Sequence, residues 1–427
     1  MKPRSGRRAG GAAGWTLFVL FIANVFNVGD RTLLGVVTEP VRSEIGLTDT
    51  EISLASGFLF VLFNLVAGLF VARLIDVGNR KRILALGIAG WSIATALTGL
   101  AQDFGTLALA RIGVGVGEAT AFPAAMSLIP DLFRPESRGK AIAVFQSSGM
   151  VGVVSGTMLA GILAASLGWR PMFMVCGAAG VILSAVTLLT VREPPRNIVR
   201  DSNGPYFPEL VAACTRIVST PGFVPLALAF GTSGMVGAVL GAWGPAFLQR
   251  SHGVPLAQVG LIIGPAVGIA GILGTLLSGV LADWLVRRRG VLIDMLRLPL
   301  VALPLAAPAA AGFAAASSLL LTMTSAFAMN FLLACAVPPC VNYAITVAGP
   351  GDRAVASTMM LAATGLLGGA LGPFTVGVLS DAFSARFGTE SLRYGIAAIA
   401  ATPLVAAAFL LLAIRLSSAR TDGLQSA

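Results

Sequence analysis

The stretches ARLIDVGNRKRIL (residues 72–84) and GVLADWLVRRRGVLI (residues 279–293) carry the same arrangement of charges. In each, an aspartate, Asp76 or Asp283, ends an apolar run, and a basic cluster begins four residues later. The two aspartates are 207 residues apart in a chain of 427 residues. A repeat at that distance predicts two halves of similar structure.

A second match supports the duplication. DLFRPESRGKAIAV (residues 131–144) contains Arg138, and AGPGDRAVASTMM (residues 348–360) contains Arg353. Each arginine stands at the start of the next apolar run, and the two are 215 residues apart. Two independent matches at a similar offset predict a duplicated unit.

The composition indicates that lipid is the main solvent of this chain. Hydrophobic residues make up 56% and charged residues only 11%, whereas about a quarter of a soluble protein is charged. A transmembrane helix needs about 20 mostly apolar residues. Twelve runs fit, at 15–37, 52–75, 83–101, 105–130, 138–166, 171–191, 223–249, 256–286, 291–313, 317–347, 353–380 and 391–416.

The basic residues predict the orientation of these helices. Lys and Arg concentrate at the N-terminus, in the loops after helices 2, 4 and 8, and after helix 6, whereas the loop after helix 1 is acidic. Cytoplasmic loops carry the excess of Lys and Arg, so both termini and the even-numbered connections are expected in the cytoplasm. The net charge of +10 is therefore spread over loops, and a nucleic-acid partner is not expected.

We therefore expect an all-α membrane protein with 12 transmembrane helices in two pseudo-symmetric six-helix bundles. The predicted bundles are residues 1–191 and 223–427, joined by a polar cytoplasmic linker at 192–222. Within the linker, YFPELVAACTRIV (residues 206–218) fits an amphipathic helix on the inner membrane surface. A plain linker with a short buried stretch fits equally well.

The duplicated loop resembles the signature loop of the major facilitator superfamily, with Val77 where that loop usually has a basic residue. Within the superfamily, the first half resembles the spinster family in three segments. These are GDRTLLG (29–35), DVGNRKR (76–82) and RIGVGVGEATAFPAAMSLIPDLF (111–133). The resemblance implies a transporter that works by alternating access. Spinster proteins are associated with export of sphingosine phosphate and other lysolipids.

Helix 1 carries charges where hydrocarbon is expected. In FIANVFNVGDRTLLG (residues 21–35), Asn24, Asn27 and Arg31 fall on one side of a helix. Asp30 lies about 100° from Arg31, toward the same polar flank. A charge at mid-membrane costs about 2.5–3.5 kcal/mol on insertion scales, so it is expected to face a cavity or a partner.

Helix 4 carries Arg111 and Glu118, which are seven residues apart and therefore nearly on one face. The intervening IGVGVG (residues 112–117) is slim and allows close approach of a neighbouring helix. It lies inside a helix and lacks the lysine of a phosphate-binding loop. A structural carboxylate remains the alternative for Glu118, and packing by neutralising partners remains the alternative for Asp30 and Arg31.

The family resemblance gives Asp30, Arg31 and Glu118 functional importance, and the helical face adds Arg111. Asp30 and Glu118 are predicted to couple transport to protons, because desolvation favours the protonated form of a carboxyl group. Arg31 and Arg111, with Asn24 and Asn27, are predicted to bind the polar end of a substrate. The partners we expect are protons, membrane lipids and an amphiphilic or anionic small molecule.

The second half has no comparable buried ion cluster in its sequence. Its best polar or aromatic cavity candidates are Trp243, Asn330, Asn342 and Tyr343. Packing with a satisfied hydrogen bond is the alternative for each. A charged half facing an apolar half suits an amphiphile with one polar end.

Charged residues in or next to the cytoplasmic loops are predicted to form a cytoplasmic gate, with surface charge for topology as the alternative. They are Asp76, Arg80, Lys81, Arg138, Asp283, Arg287 and Arg353.

Three other assignments compete with a lipid exporter. Organic-anion symporters of the same superfamily also have Asp-Arg in helix 1 and a stretch like GVGEATAFP (residues 115–123). A membrane-embedded enzyme needs a catalytic constellation, and the chain has one histidine and no H-E-x-x-H. A channel fits two pseudo-symmetric halves less well than a carrier. We expect a monomeric carrier in a bacterial cytoplasmic membrane, with no enzymatic activity, no cofactor and no metal.

The topology is open to direct measurement. Residues 1–14, 192–222 and 417–427 are expected in the cytoplasm, because the basic residues favour that side. A cysteine placed at Ser5 or at Ser202 should therefore resist an impermeant thiol reagent added from outside. Labelling from that side would reverse the orientation.

Overall fold

The computed structural model describes residues 6–195, 206–349 and 351–425, and every element within these ranges is a helix. Parts of the predicted cytoplasmic segments, residues 1–5, 196–205 and 426–427, lie outside the described residues. The orientation therefore stays a prediction.

The described residues of the first half form nine α-helices. They are α1 (Gly6–Val36), α2 (Thr38–Ile45), α3 (Asp49–Ser53), α4 (Phe60–Val77), α5 (Arg80–Thr98), α6 (Phe104–Glu118), α7 (Ala121–Leu132), α8 (Pro135–Leu167) and α9 (Trp169–Thr190). A π-helical segment, Leu54–Leu59, joins α3 to α4 in one continuous helix.

The second half repeats this order after a connecting helix. Its α-helices are α10 (Tyr206–Val218), α11 (Phe223–His252), α12 (Leu256–Arg289), α13 (Arg297–Ala315), α14 (Leu319–Ala334), α15 (Val337–Val347), α16 (Arg353–Ala363), α17 (Gly372–Phe387), α18 (Ser391–Ile399) and α19 (Thr402–Gln425). A second π-helical segment, Thr364–Leu371, joins α16 to α17, and short 3₁₀ turns cover Leu292–Leu296 and Gly388–Glu390.

The predicted all-α membrane fold is confirmed. Ten stretches of the described residues are long and apolar enough to cross a membrane. The last of them, Arg353–Ser418, holds two predicted helices, and α5 is a further predicted span. The sequence placed the start of that span at 83, too late by three residues. Asn79 accepts a hydrogen bond from the Arg82 N–H (2.9 Å), so the basic residues begin the helix instead of preceding it.

Proline breaks one membrane helix at the same place in each half. Pro123 lies in the first turn of α7, where it has no N–H to donate to the carbonyl four residues earlier. The α6 helix therefore ends at Glu118. In the second half, Pro338 and Pro339 start α15 in the same way, after α14 has ended at Ala334.

The described residues divide into two compact units. The first unit contains those of Met1–Leu47, Leu59–Gly204 and Pro255–Gly264. The second unit contains those of Pro205–Val254 and Pro265–Ala427, together with Thr48–Phe58 from the first half of the sequence. The sequence predicts two six-helix bundles, at 1–191 and 223–427, and these domain boundaries stay a prediction.

Glycine lets two helices touch at one place in each unit. In the first, α1 meets α8 so closely that a Cβ added to Gly156 would lie 2.5 Å from the Cα of Gly29. In the second, a Cβ added to Gly368 would lie 3.0 Å from the backbone carbon of Gly234 on α11. Small residues allow such packing where lipid provides no hydrophobic drive for association.

In both units, an arginine of the sixth membrane helix donates hydrogen bonds to backbone carbonyls at the end of the third. In the first unit, Arg170 donates from Nη1 to the carbonyls of Gly99 (3.1 Å) and Ala101 (2.7 Å), just after α5. In the second, Arg393 donates to the carbonyls of Ala314 (2.9 Å) and Ala316 (3.1 Å), at the end of α13. A cation at a helix C-terminus is favourable. The repeat is therefore present in side-chain contacts as well as in the loop charges.

The linker contains a helix, α10, that packs in the second unit. Ala213 and Ile217 are buried, whereas Val211 and Val218 are exposed. Arg216 donates from Nε (2.9 Å) and Nη2 (2.7 Å) to Asp352, and this holds the pKa of the aspartate below its usual range. Whether the exposed face lies on a membrane surface stays a prediction.

The contact between α1 and α8 predicts how two glycine substitutions will differ. Gly156→Ala forces the Cβ against Gly29, so we expect a loss of roughly 1–3 kcal/mol and a lower Tm. Gly149→Ala on the same helix meets no atom within 4 Å, and we expect no loss because alanine favours helix. Thermal unfolding of both variants in detergent is the measurement. An equal Tm for the two would contradict the packing argument.

Candidate functional site

The polar stripe predicted on α1 lies in the interior of the first unit. Asn24 is 9% exposed and donates from Nδ2 to the Ser148 hydroxyl of α8 (2.7 Å). Asn27 is 4% exposed and donates from Nδ2 to the backbone carbonyl of Glu118 (3.2 Å). That carbonyl ends α6 at the proline break, so the broken helix receives a side-chain donor from α1.

Arg31 and Glu118 form the central ion pair of this region. Arg31 Nε lies 2.7 Å from Glu118 Oε2, and Arg31 Nη2 donates to Asn27 Oδ1 (3.2 Å). The arginine side chain is 43% exposed, whereas the glutamate side chain is fully buried. Glu118 Oε1 has no hydrogen-bond partner among the described residues. The Arg31 guanidinium therefore contacts a buried carboxylate while part of the arginine side chain stays exposed.

Asp30 is not the carboxylate that Arg31 binds in this structure. Asp30 is 7% exposed, and its Oδ2 accepts a hydrogen bond from the hydroxyl of Thr95 on α5 (2.5 Å). Its Oδ1 has no hydrogen-bond partner in the described part of the chain. The two side chains leave the helix about 100° apart, and they reach different neighbours.

Arg111 is buried with donors to spare. It is 1% exposed, and its Nε and Nη1 find no acceptor among the described residues. Its guanidinium lies 5.3 Å from the centre of the Phe60 ring, and that of Arg31 lies 5.4 Å from the same ring. Gly115 permits this arrangement, because a Cβ there would lie 2.7 Å from the Phe60 carbonyl.

Asp30, Arg31, Arg111 and Glu118, which we call the arginine–carboxylate cluster, thus meet inside one unit. If all four are ionised, their formal charges cancel. Unused donors on Arg111 and unused acceptors on Asp30 and Glu118 give the cluster spare capacity for an anion or a proton. No three His, Cys, Asp or Glu side chains come together as a metal site in residues 6–195, 206–349 and 351–425.

The candidates in the second half do not form a comparable cluster. Trp243 is 1% exposed and donates from Nε1 to the Pro373 carbonyl (2.9 Å). Asn330 donates from Nδ2 to the Val267 carbonyl (2.7 Å). Tyr343 is buried at 6%, whereas Asn342 is exposed and accepts from Thr346 through its carbonyl (2.8 Å). Trp243 and Asn330 thus have the satisfied hydrogen bonds that packing residues need.

The predicted gate residues of the first half pair within the first unit. Arg80 is 2% exposed and lies 2.5 Å from Asp131 and 2.6 Å from Glu193. The Lys81 backbone N–H also donates to Glu193 (2.8 Å). Arg138 donates from Nη2 to the carbonyl of Pro130 (2.9 Å).

The other gate residues lie near helix ends. Asp76 is near the end of α4, and Asp283 near the end of α12 accepts from Arg287 Nε through its backbone carbonyl (3.3 Å). Arg353 begins α16, beside the Arg216–Asp352 pair. The gating role of all these residues stays a prediction.

Sequence reasoning missed two groups of residues. Thr95, Ser148 and Phe60 contact the predicted site, but small hydroxyls and a phenylalanine in apolar runs give no signal in a single sequence. It also gave no signal for a buried ion pair in the second unit. Arg250 at the end of α11 forms a buried pair with Asp49, from the first half of the sequence. Only the unusual arginine next to an apolar run hinted at it.

Comparison with known proteins agrees with this fold. The model of the Major Facilitator Superfamily matches residues 20–373. An "MFS-type efflux pump" from Mycolicibacterium smegmatis is 33% identical over 412 residues, covering 94% of this chain and 91% of the relative. A "Probable L-galactonate transporter" from Escherichia coli K12 is 29% identical over 287 residues, covering 64% of this chain and 62% of the relative.

The solved structures give the same result. A bacterial homologue of the human lysosomal transporter Spinster, crystallised in an inward-facing and unoccupied conformation, matches with a TM-score of 0.84. The identity is 26%, over 95% of this chain and 97% of the other. The resemblance to spinster proteins predicted from the sequence is thereby confirmed. With a family model that spans most of its length and a fold that agrees, this chain is an integral membrane transporter of the Major Facilitator Superfamily.

Proposed function

We propose that this protein is a proton-coupled secondary active transporter that moves an amphiphilic or anionic small molecule by alternating access. The observation that carries this proposal is the arginine–carboxylate cluster of the first unit. The predicted location is a bacterial cytoplasmic membrane, with both termini in the cytoplasm. The substrate class is a lysolipid or a sphingosine-phosphate-like molecule, which has one anionic end and one apolar end.

Arg31 is the proposed contact for the anionic end. Its side chain is 43% exposed while it holds Glu118, so an anion can reach the guanidinium without unfolding the site. Arginine presents a planar fork of donors that matches carboxylate and phosphate groups. Arg111 adds buried donors that have no acceptor among the described residues.

Proton coupling follows from the charge balance of this cluster. An anion that takes Arg31 adds one negative charge and removes the partner of Glu118. An unpaired carboxylate in a nonpolar interior is costly, and protonation of Glu118 or Asp30 restores neutrality. Anion and proton therefore favour each other's binding in this mechanism, so the cluster couples the two.

A second candidate is a sugar-acid or organic-anion symporter. It is supported by the relative named as an L-galactonate transporter and by the GVGEATAFP stretch that holds Glu118. The relative named as an efflux pump, which covers more of the chain, instead supports export. Both candidates use the same charged cluster and differ in the apolar part of the substrate.

Ligand-dependent stability separates the candidates. A compound that binds only the folded state raises the apparent Tm. Purified protein would be screened against lysolipids, sphingosine phosphate, sugar acids and aryl acids. Stabilisation by the single-chain lipids alone supports the first candidate, and stabilisation by sugar acids alone supports the second. The stabilising compounds would then be used as flux substrates in proteoliposomes, where saturable flux indicates a carrier and non-saturating flux a channel.

Replacement of Arg31 tests the anion contact. Arg31→Lys keeps the charge but loses the planar fork, so we expect a loss of roughly 1.5–3 kcal/mol of binding free energy. This corresponds to a KM for the anion that rises by about ten- to a hundredfold. Uptake kinetics in proteoliposomes are the measurement. Arg386→Lys, on an exposed position of α17, is the matched control, and an equal KM in both variants would remove Arg31 from the site.

Replacement of the two carboxylates tests proton coupling. Asp30→Asn and Glu118→Gln imitate the protonated forms permanently, so each should abolish accumulation driven by a pH gradient while binding and exchange persist. The measurement is substrate flux with and without an imposed gradient, alongside binding. The exposed Glu209→Gln on α10 should accumulate substrate normally. Accumulation at the parent level by both cluster variants would show that neither carboxylate couples protons.

A further inference from the structure

The end of α12 exposes three arginines beside a tryptophan. Arg287, Arg288 and Arg289 are the last residues of this helix, and all three are exposed. Trp284 is 47% exposed, and the Arg288 guanidinium lies 5.1 Å from the centre of its ring. We call these four residues the Trp284–arginine patch. The patch belongs to the second unit, whereas the arginine–carboxylate cluster belongs to the first.

The duplicated loop shows how the patch differs from its counterpart in the first half. Arg287 follows Arg80 by 207 residues, the same offset that separates the two loop aspartates. Arg80 is buried and pairs with Asp131 and Glu193. Within residues 6–195, 206–349 and 351–425, no carboxylate forms an ion pair with an arginine of the patch. The same motif is therefore neutralised by protein in the first half and left open to an outside anion in the second.

The carboxylates near the patch in sequence leave a positive excess. Asp283 is exposed, and its backbone carbonyl accepts a hydrogen bond from Arg287 Nε (3.3 Å). Asp294 is buried and already pairs with Arg297 (2.5 Å). Residues 283–289 contain three arginines and one aspartate, which gives a net charge of +2. Because neighbouring like charges repel, a bound anion would stabilise the end of this helix.

An exposed apolar stripe leads along α12 to the patch. Large apolar residues at spacings of three or four are exposed on one face, namely Ile269, Leu273, Leu276 and Val280. Trp284 and Arg287 continue the same face at the same spacing. Tryptophan is enriched where a membrane meets water. On a membrane-spanning helix, this face therefore passes from hydrocarbon through the interface and ends in cations at the level of the lipid headgroups.

We propose that the Trp284–arginine patch binds a phospholipid with an anionic headgroup. The arginines hold the headgroup phosphate, because guanidinium donors match phosphate oxygens, and basic clusters beside membrane helices attract anionic lipids. Trp284 and the apolar stripe contact an acyl chain. A free phosphate would use the arginines alone and leave the stripe uncovered. The inference rests on α12 spanning a membrane, and it needs neither the proposed substrate nor a proton.

Native mass spectrometry of the purified protein in detergent measures the bound lipid directly. Phosphatidylglycerol and phosphatidylcholine with the same acyl chains would be titrated, and the parent should bind the anionic lipid more tightly. The double variant Arg288→Gln with Arg289→Gln should lose affinity for phosphatidylglycerol about tenfold, because two cations are removed. Its affinity for phosphatidylcholine should stay unchanged. Arg287 is kept in this variant, because it is also a predicted gate residue.

Matched variants separate a specific site from general charge attraction. Arg134→Gln with Lys140→Gln removes two exposed cations from the first unit, and it should leave the affinity for phosphatidylglycerol unchanged. Trp284→Leu keeps an apolar side chain but removes the ring beside Arg288, so the affinity should fall about two- to fivefold. All the replaced side chains are exposed, so the Tm of each variant without lipid should equal that of the parent.

Inorganic phosphate distinguishes a lipid site from a phosphate site. Added at the concentration of the lipid, it should not displace phosphatidylglycerol from the parent, because it lacks the acyl chains that the apolar stripe contacts. Displacement at that concentration would overturn the inference. Parent-like affinity for phosphatidylglycerol in the double variant of Arg288 and Arg289 would also overturn it. An equal loss in the double variant of Arg134 and Lys140 would do the same.

Discussion

The arrangement of the first unit depends on one constraint, which is that a charge in a nonpolar interior must meet an opposite charge or a strong dipole. Arg31 on α1 and Glu118 on α6 satisfy this constraint, because each supplies the opposite charge that the other needs. Once they are paired, Asn27 lies beside the carbonyl that the broken helix leaves open. The polar stripe on α1 therefore supplies both the cation that pairs with Glu118 and the donor that binds the end of the broken helix.

The two halves solve shared problems with the same residue types. In both halves, an arginine donates to the carbonyls at the end of the third membrane helix. Glycine allows the first membrane helix to touch the fifth, and proline breaks the fourth membrane helix. The halves differ where chemistry is proposed. The broken helix of the first half ends in Glu118, whereas that of the second ends in Ala334. Duplication thus preserves the scaffold and leaves the charged positions free to diverge.

Local patterns in the sequence were sufficient for the fold and for part of the site. Apolar runs define spanning helices, and charge repeats such as Asp76 and Asp283 define the duplication. Buried charges such as Asp30 and Glu118 are visible because hydrocarbon makes them expensive.

The pairing of charges was not predictable, because it depends on distant contacts. Arg31 binds a carboxylate 87 positions away instead of its neighbour Asp30. Arg250 binds Asp49 across 201 positions. Single-residue chemistry also cannot tell a cavity aromatic from a packing one, as the buried and hydrogen-bonded Trp243 illustrates.

The π-helical segment Leu54–Leu59 sets the direction in which Phe60 points. A π turn holds more residues than an α turn, so it shifts the angular register of everything that follows by about 100° for one extra residue. Phe60 is the first residue after this shift, and its ring lies near both Arg31 and Arg111. A return of the segment to regular α-helix would swing the ring by about a quarter turn. The π-helical segment therefore decides that the Phe60 ring, and not another side chain of α4, faces the two arginines.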